Sequence, residues 1–331
     1  HLYSLRILSS AQTNDLLNMG DAISDVELAY KLYAREEAGV FPVIVHHFES
    51  GKREMDLKSG HLAGAGVFGM KMLGFCSENP QRGLAPLAGL IVVMDVDKQQ
   101  PIGILDGTPI TFMRTGAAGA VAARALARKD SKRVLIAGAG NQGRAQLLGL
   151  ATAMPALEEI YICDIIDENS CRFVNEQNGK FPNLQLKAVP YAELAEIAGQ
   201  VDIIVTCTRS REFFISKEWI KAGTHINAIG ADMPGKQEIE PELMANVRLF
   251  GDSRAQVIQK GECQHAAKSG RISADDITEI GEVLEGMKPG RRSEDDITLF
   301  DATGMAIQDL IVSAKLLEKA KQLNIGLEVE F

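Results

Sequence analysis

The stretch 133–164, RVLIAGAGNQGRAQLLGLATAMPALEEIYICD, constrains this chain more than any other. Residues 134–137 form a short apolar run of the kind found in buried parallel strands. Gly138, Gly140 and Gly143 follow in the spacing G-x-G-x-x-G, and an amphipathic segment then runs over 144–153 to a Met-Pro break. A second apolar strand, 160–163, ends on Asp164. In such a unit the first glycine permits a tight strand-to-helix turn. The second lets a pyrophosphate approach the backbone, and the third lets helix and strand pack closely. The helix N-terminus offers N–H groups and a positive dipole end to phosphate. An acid about 20 residues on accepts from ribose hydroxyls, and Asp164 stands at that distance. A carboxylate there repels a 2′-phosphate, so NAD is expected over NADP, with Arg209 and Arg211 as the residues that could accept a phosphate instead. Asn141 and Gln142, between the glycines, are expected at the phosphates, and Thr206 and Thr208 at the cofactor edge of a later strand.

Gly64, Gly66 and Gly69 spell the same pattern. The preceding run, MDLKSGHLA, does not read as a strand, and the following MKMLGF reads as a strand rather than a helix. This copy is therefore expected to be a glycine-rich turn.

The rest of the chain divides into two textures. Over 1–107 the patterning predicts a strand (2–8), one long helix (9–39, stopped by Gly39) and strands at 40–48 and 67–75. Strands at 87–96 and 101–107 form an antiparallel hairpin. From 115 onward an Ala-rich helix leads into alternating strands and helices. Strands are expected at 184–189, 201–206, 224–229, 247–250 and 297–302, and helices at 191–198, 217–222, 241–245, 276–286 and 304–323. That alternation predicts a doubly wound parallel sheet.

Composition narrows the partners. The 331 residues suggest two domains, and 46% hydrophobic with 24% charged residues is a globular balance. A net charge of -9 and a pI of about 5.3 argue against nucleic acid or an anionic membrane as partner. The N-terminus HLYSLRILSS lacks a basic region followed by a long apolar run, and no membrane-spanning run is present. Five scattered cysteines without C-x-x-C fit a reduced, cytoplasmic chain. No metal is expected, since H-E-x-x-H is missing and the adjacent His46 and His47 point to opposite faces of a strand.

Three residues outside the fingerprint stand out. Asp232, in IGADMPGK, follows a parallel strand directly, where an acid can serve as general base or merely cap a turn. Lys71 lies inside the apolar run FGMKML. Burying an ammonium is costly without a partner such as a substrate carboxylate; otherwise it is an edge-strand lysine facing water. Arg114, preceding the Ala-rich helix, suits bidentate carboxylate binding or a domain-hinge salt bridge. Cys207 has no basic partner in sequence and reads as a strand-end residue.

The runs GMKMLGFCSENPQRGLAP, GILDGTPITFMRTGAAGAVAARALARKDSKRVLIAGAGNQGR, NAIGADMPGKQEIE and ITLFDATGMAIQD together resemble the ornithine cyclodeaminase/mu-crystallin family over roughly residues 65–315. The resemblance implies a Rossmann NAD-binding domain (115–306) inserted in a mainly antiparallel α+β substrate-binding and dimerisation domain (1–114 with 307–331). It implies Asp232 as catalytic acid/base and Lys71 and Arg114 as substrate-carboxylate contacts. Gly138, Gly140, Asn141, Gln142, Gly143, Asp164, Thr206, Gly230, Lys236 and Thr303 fall on cofactor-contacting positions. The expected activity is NAD-dependent oxidoreduction at the Cα–N bond of a small L-amino acid or its imine, by a homodimer. Cyclodeamination and a non-catalytic NAD-bound ligand carrier are the alternatives. Two departures bear on cyclisation: ring-forming members have an arginine where VIVHHF supplies His46 or His47, and a threonine where Pro86 stands.

Overall fold

A computed structural model describes residues 2–331. The chain begins with β1 (Ser4–Leu8), α1 (Ser10–Leu16) and α2 (Met19–Ala34). The single helix expected over 9–39 is thus two. Each has its own N-cap: Ser9 forms a capping box with Gln12, and Asn18 accepts from the Asp21 N–H, while Leu17 between them is extended. Gly39 does not stop the helix. Arg35 is the C-cap, Glu36 adopts φ 61°, and Gly39 enters β2 (Gly39–Val40). Next come β3 (Ile44–Glu49), β4 (Arg53–Leu62), β5 (Val67–Cys76), β6 (Leu87–Asp95) and β7 (Pro101–Asp106). Strand β4 contains MDLKSGHL, where no strand is expected from the sequence. Most of its side chains are half-buried, so no apolar alternation marks it.

Helix α3 (Gly107–Leu126) starts before the position expected at 115. The Asp106 carboxylate accepts from the Thr108 N–H, and Pro109 sits in the first turn, so the TPITFM run becomes helical despite its strand-like residues. There follow β8 (Arg133–Ala137), α4 (Asn141–Ala153), β9 (Glu159–Cys163), α5 (Asp167–Gln177), β10 (Gln185–Ala188), α6 (Leu194–Ala198), β11 (Ile203–Thr206), β12 (His225–Ala228) and β13 (Arg248–Gly251). After α7 (Arg254–Lys260) and α8 (Gln264–Lys268), the helix expected at 276–286 is instead β14 (Ile277–Glu279) followed by α9 (Ile280–Leu284). Then come β15 (Thr298–Asp301), α10 (Ala306–Gln322) and β16 (Leu327–Glu330).

Two compact units result. One runs to Arg114 and resumes at Met305; the other is Thr115–Gly304. The discontinuous unit holds a sheet ordered β16-β1-β7-β6-β5-β4-β2, with β3 also on β4; only β1 and β7 pair in parallel. Helix α10 covers one sheet face. Lys71, Ile91, Leu105 and Leu8 lie in register across that face, all buried. The opposite face carries the row Ile44, Leu57, Met72, Leu90, and of these Ile44, Met72 and Leu90 are exposed.

The central unit is a wholly parallel sheet ordered β10-β9-β8-β11-β12-β15-β13-β14. Its core includes Leu135, Ile204, Ile226, Leu249 and Leu299. Strand order reverses between β8 and β11, and the crevice at that switch point is where open α/β sheets bind ligands.

Candidate active site

Two groups of residues carry chemistry, one in each unit. In the discontinuous unit, Lys71 is no edge lysine. Strand β5 lies between β4 and β6, and the side chain is buried. Its Nζ donates to Thr111 Oγ1 (3.0 Å) and to Asp309 Oδ1 (3.0 Å). Arg114 lies inside α3, also buried, and its Nε donates to the same Asp309 oxygen at 3.2 Å. Two buried cations share one carboxylate, which leaves a positive charge over. Burial pushes the Lys71 ammonium down to about 8, against the pull of Asp309. Burial acts to raise the Asp309 carboxyl, but Arg114 and Lys71 hold it below the usual carboxylate range. Alternation along β3 and β4 puts His47, paired with Glu54 at 3.0 Å, on the Lys71 face; His46 stacks edge-on against Phe48 on the other.

In the central unit the fingerprint at 138–143 has the form that a dinucleotide site requires. Gly138 has φ 124°, and a Cβ there would meet the Cys207 carbonyl at 2.6 Å. A Cβ on Gly143 would meet the Gly138 carbonyl at 2.2 Å, so only glycine allows α4 to approach β8. Gly140 is the N-cap of α4 with no side-chain cap, and space around its Cβ position is open. Asn141 is exposed in the first turn, and Gln142 Oε1 is buried without a hydrogen-bond partner. The open cradle and the uncapped helix N-terminus, whose N–H groups are donors, fit a pyrophosphate. Asp164, at the end of β9, accepts from the Ala139 N–H (2.9 Å), the Ile166 N–H (3.0 Å) and Asn169 Nδ2 (3.2 Å). These bonds fix the acid against the glycine turn.

Asp232 follows β12 in a loop. It is paired with Lys236, whose Nζ donates to Oδ1 at 2.7 Å, and its side chain stays 45% exposed. An accessible carboxylate beyond the carboxyl end of a parallel strand stands where open α/β sheets bind their ligands. Gly230, in the same loop, donates its N–H to Glu238. Thr206 and Thr303 are both buried. Thr303 Oγ1 is shared between Asp252 and the Gln256 amide, so its hydroxyl is engaged inside the fold. Burial pushes the Cys207 thiol well above its usual range, so it is no thiolate nucleophile. Among the described residues no His, Cys, Asp and Glu cluster could hold a metal ion.

Asp309 is the functional candidate that reasoning from sequence missed. The signal was there in AIQDLIV, where a polar pair interrupts a helix face otherwise apolar. The rule that made Lys71 conspicuous also demands a buried anion to match it.

The model of the ornithine cyclodeaminase/mu-crystallin family matches residues 5–324. The chain belongs to that family. Among its relatives, the alanine dehydrogenase of Archaeoglobus fulgidus is 35% identical over 98% of this chain and 98% of its own length. An archaeal alanine dehydrogenase dimer with bound NAD superposes with a TM-score of 0.92 at 34% identity, covering 99% of this chain and 100% of that one. The Δ1-pyrroline-2-carboxylate reductase of Thermococcus litoralis, in complex with NADH and L-proline, gives 0.91 at 31% identity, covering 98% and 100%. Family membership therefore rests on nearly the whole chain, both units included.

Proposed function

We propose that this chain is an NAD-dependent oxidoreductase acting on the Cα–N bond of a small L-amino acid or the matching imine. The observation that carries the reading is the buried Lys71–Arg114–Asp309 group, whose surplus positive charge suits one substrate carboxylate. NAD, when bound, accepts a hydride from Cα. Lys71 and Arg114 hold the carboxylate and so fix the direction in which Cα–H points. Asp232 takes a proton from the amine as the C=N bond forms and returns one to nitrogen in the reverse direction. Lys236 holds the Asp232 carboxylate in place meanwhile. Attack of water on the imine then releases ammonia and leaves a 2-oxo acid. The fingerprint glycines, Asn141, Gln142 and Asp164 hold the nucleotide, and the Asp164 carboxylate selects NAD. Histidine rather than arginine on the Lys71 face supports dehydrogenation or imine reduction over cyclisation.

The exposed apolar face with Ile44, Phe48, Met70, Met72 and Leu90 supports a homodimer in which a second copy covers it. No helix among the described residues is long and apolar enough to cross a membrane.

The test is a panel of small L-amino acids with NAD, scored for NADH and ammonia together. NADH accumulating with ammonia supports a dehydrogenase, and ammonia without net NADH points to cyclodeamination. A pure ligand carrier predicts that Asp232→Asn changes no rate. A loss of at least roughly 100-fold, the lower range for a general base, rejects the carrier.

A further inference from the structure

The loop that carries Asp232 is closed on itself. Glu238 is fully buried, and its carboxylate is the convergence point of three donors. Oε2 accepts from the Thr208 N–H and the Thr208 hydroxyl, both at 2.7 Å, and Oε1 accepts from the Gly230 N–H at 2.9 Å. Thr208 follows β11 and Gly230 follows β12, so one side chain ties together the carboxyl ends of two neighbouring strands at the ligand-binding edge. The backbone of Glu238 is held as firmly. Its N–H donates to the buried Glu262 Oε1 (2.9 Å), and its carbonyl accepts from the N–H groups of Phe214 (2.9 Å) and Ile215 (3.1 Å). Between its ends the loop is braced by α8. Gln264 accepts from the Gly235 N–H (2.9 Å) and donates to the Met233 carbonyl (3.1 Å), while His265 Nε2 donates to the Lys236 carbonyl (2.7 Å).

We propose that Glu238 is the positioning residue for Asp232, fixing the loop over residues 230–238 so that the acid/base and its partner Lys236 keep one geometry. The inference rests on the reading of Asp232 given above. The position demands a carboxylate in particular. Three N–H or O–H groups meet two oxygens, so both oxygens act as acceptors. An amide of the same shape turns its NH2 against a backbone N–H whichever way it is flipped, and leaves a buried donor unmet. The expectation is a variant that binds cofactor but loses the alignment of the loop.

The experiment compares wild type with Glu238→Gln, each saturated with NADH for amide hydrogen exchange and each assayed with the best L-amino acid of the panel. Glu238→Gln is expected to speed exchange over residues 230–237 selectively. Its kcat should fall about 10- to 100-fold, the scale of a misplaced catalytic group. NADH affinity should stay within about threefold, well under the tenfold that 1.4 kcal/mol represents. Should Glu238→Gln fail to fold, Thr208→Ala removes one of the three donors and is expected to move the same two readouts less far. Unchanged loop exchange, or a kcat loss that follows only the fraction of folded or NADH-bound protein, overturns the proposal. If wild type turns over no amino acid, the dehydrogenase reading falls on that result, and loop exchange decides the role of Glu238.

Discussion

Residues 64–69 and 138–143 carry the same glycine pattern and do different work. Both follow a strand: β4 precedes the first and β8 the second. What differs is the element that comes next. Gly69 already lies within β5, so the turn joins two antiparallel strands, and the N–H groups of Gly64 and Gly66 are taken up by the Glu37 and Ala63 carbonyls. After Gly140 the chain becomes α4, whose uncapped first turn presents N–H groups together. The close-packing glycines also serve different neighbours. A Cβ on Gly69 would meet the Val92 carbonyl at 2.1 Å and Leu310 at 2.9 Å, so this glycine lets β6 and α10 close over β5. The corresponding contact of Gly143 is with its own turn. Glycine spacing marks a tight backbone; a helix N-terminus after it makes the anion site.

Substitutions at matched positions can break this contrast. The largest effect is expected from Gly143→Ala, where the added methyl displaces the Gly138 carbonyl. NADH affinity should fall about 100-fold, equivalent to about 2.7 kcal/mol, in calorimetric titration. Gly69→Ala should destabilise the protein by about 1–3 kcal/mol through overpacking in chemical denaturation, yet leave NADH affinity unaltered. Should it weaken NADH binding as much as Gly143→Ala does, the two motifs are not functionally distinct. Gly140→Ala should do the reverse of Gly69→Ala. Its methyl enters open space at an extended φ, so stability holds while affinity drops about tenfold, or 1.4 kcal/mol.

A smaller effect comes from the strand into which the first motif leads. The Lys71 ammonium, lowered to about 8 from 10.5, loses its proton in the folded protein as pH rises through about 8. The KM for the amino acid should therefore rise above about pH 8 while the affinity for NADH does not follow. The sign for stability is opposite. The folded pKa lies below the unfolded one, so the burial penalty is in full force below about 8 and is relieved between about 8 and 10.5. A KM that stays flat to about pH 10 would remove Lys71 from the carboxylate site.

The central unit was the more legible half of the chain. Its strands, buried on both sides, are written as apolar runs, and the signature at 133–164 fixes how they are used. Even so, α5 is not expected from the sequence, because DENSCRFVNEQ is polar overall and buries only Ser170 and Phe173. In the discontinuous unit β4 was hidden because its side chains are half-buried on both faces, and α1 and α2 merged because helical spacing runs through the caps between them. Lys71 and Arg114 were visible as charges in unusual places. Asp309 interrupts an apolar helix face without showing its partners, and Glu238 gives no signal, since a buried carboxylate is recognised by the donors that converge on it. Those donors come from distant positions, up to 238 residues away for Lys71 and Asp309.

The central claim is that hydride leaves Cα of an amino acid held by Lys71 and Arg114. The most direct measurement is a single-turnover reaction of the NAD-loaded protein with Cα-deuterated small L-amino acids, followed by mass analysis of the cofactor. The account predicts deuterium in NADH for at least one amino acid, and at least roughly 100-fold slower transfer in Asp232→Asn, the lower range for loss of a general base. NAD that binds tightly yet acquires no deuterium from any of them would contradict it.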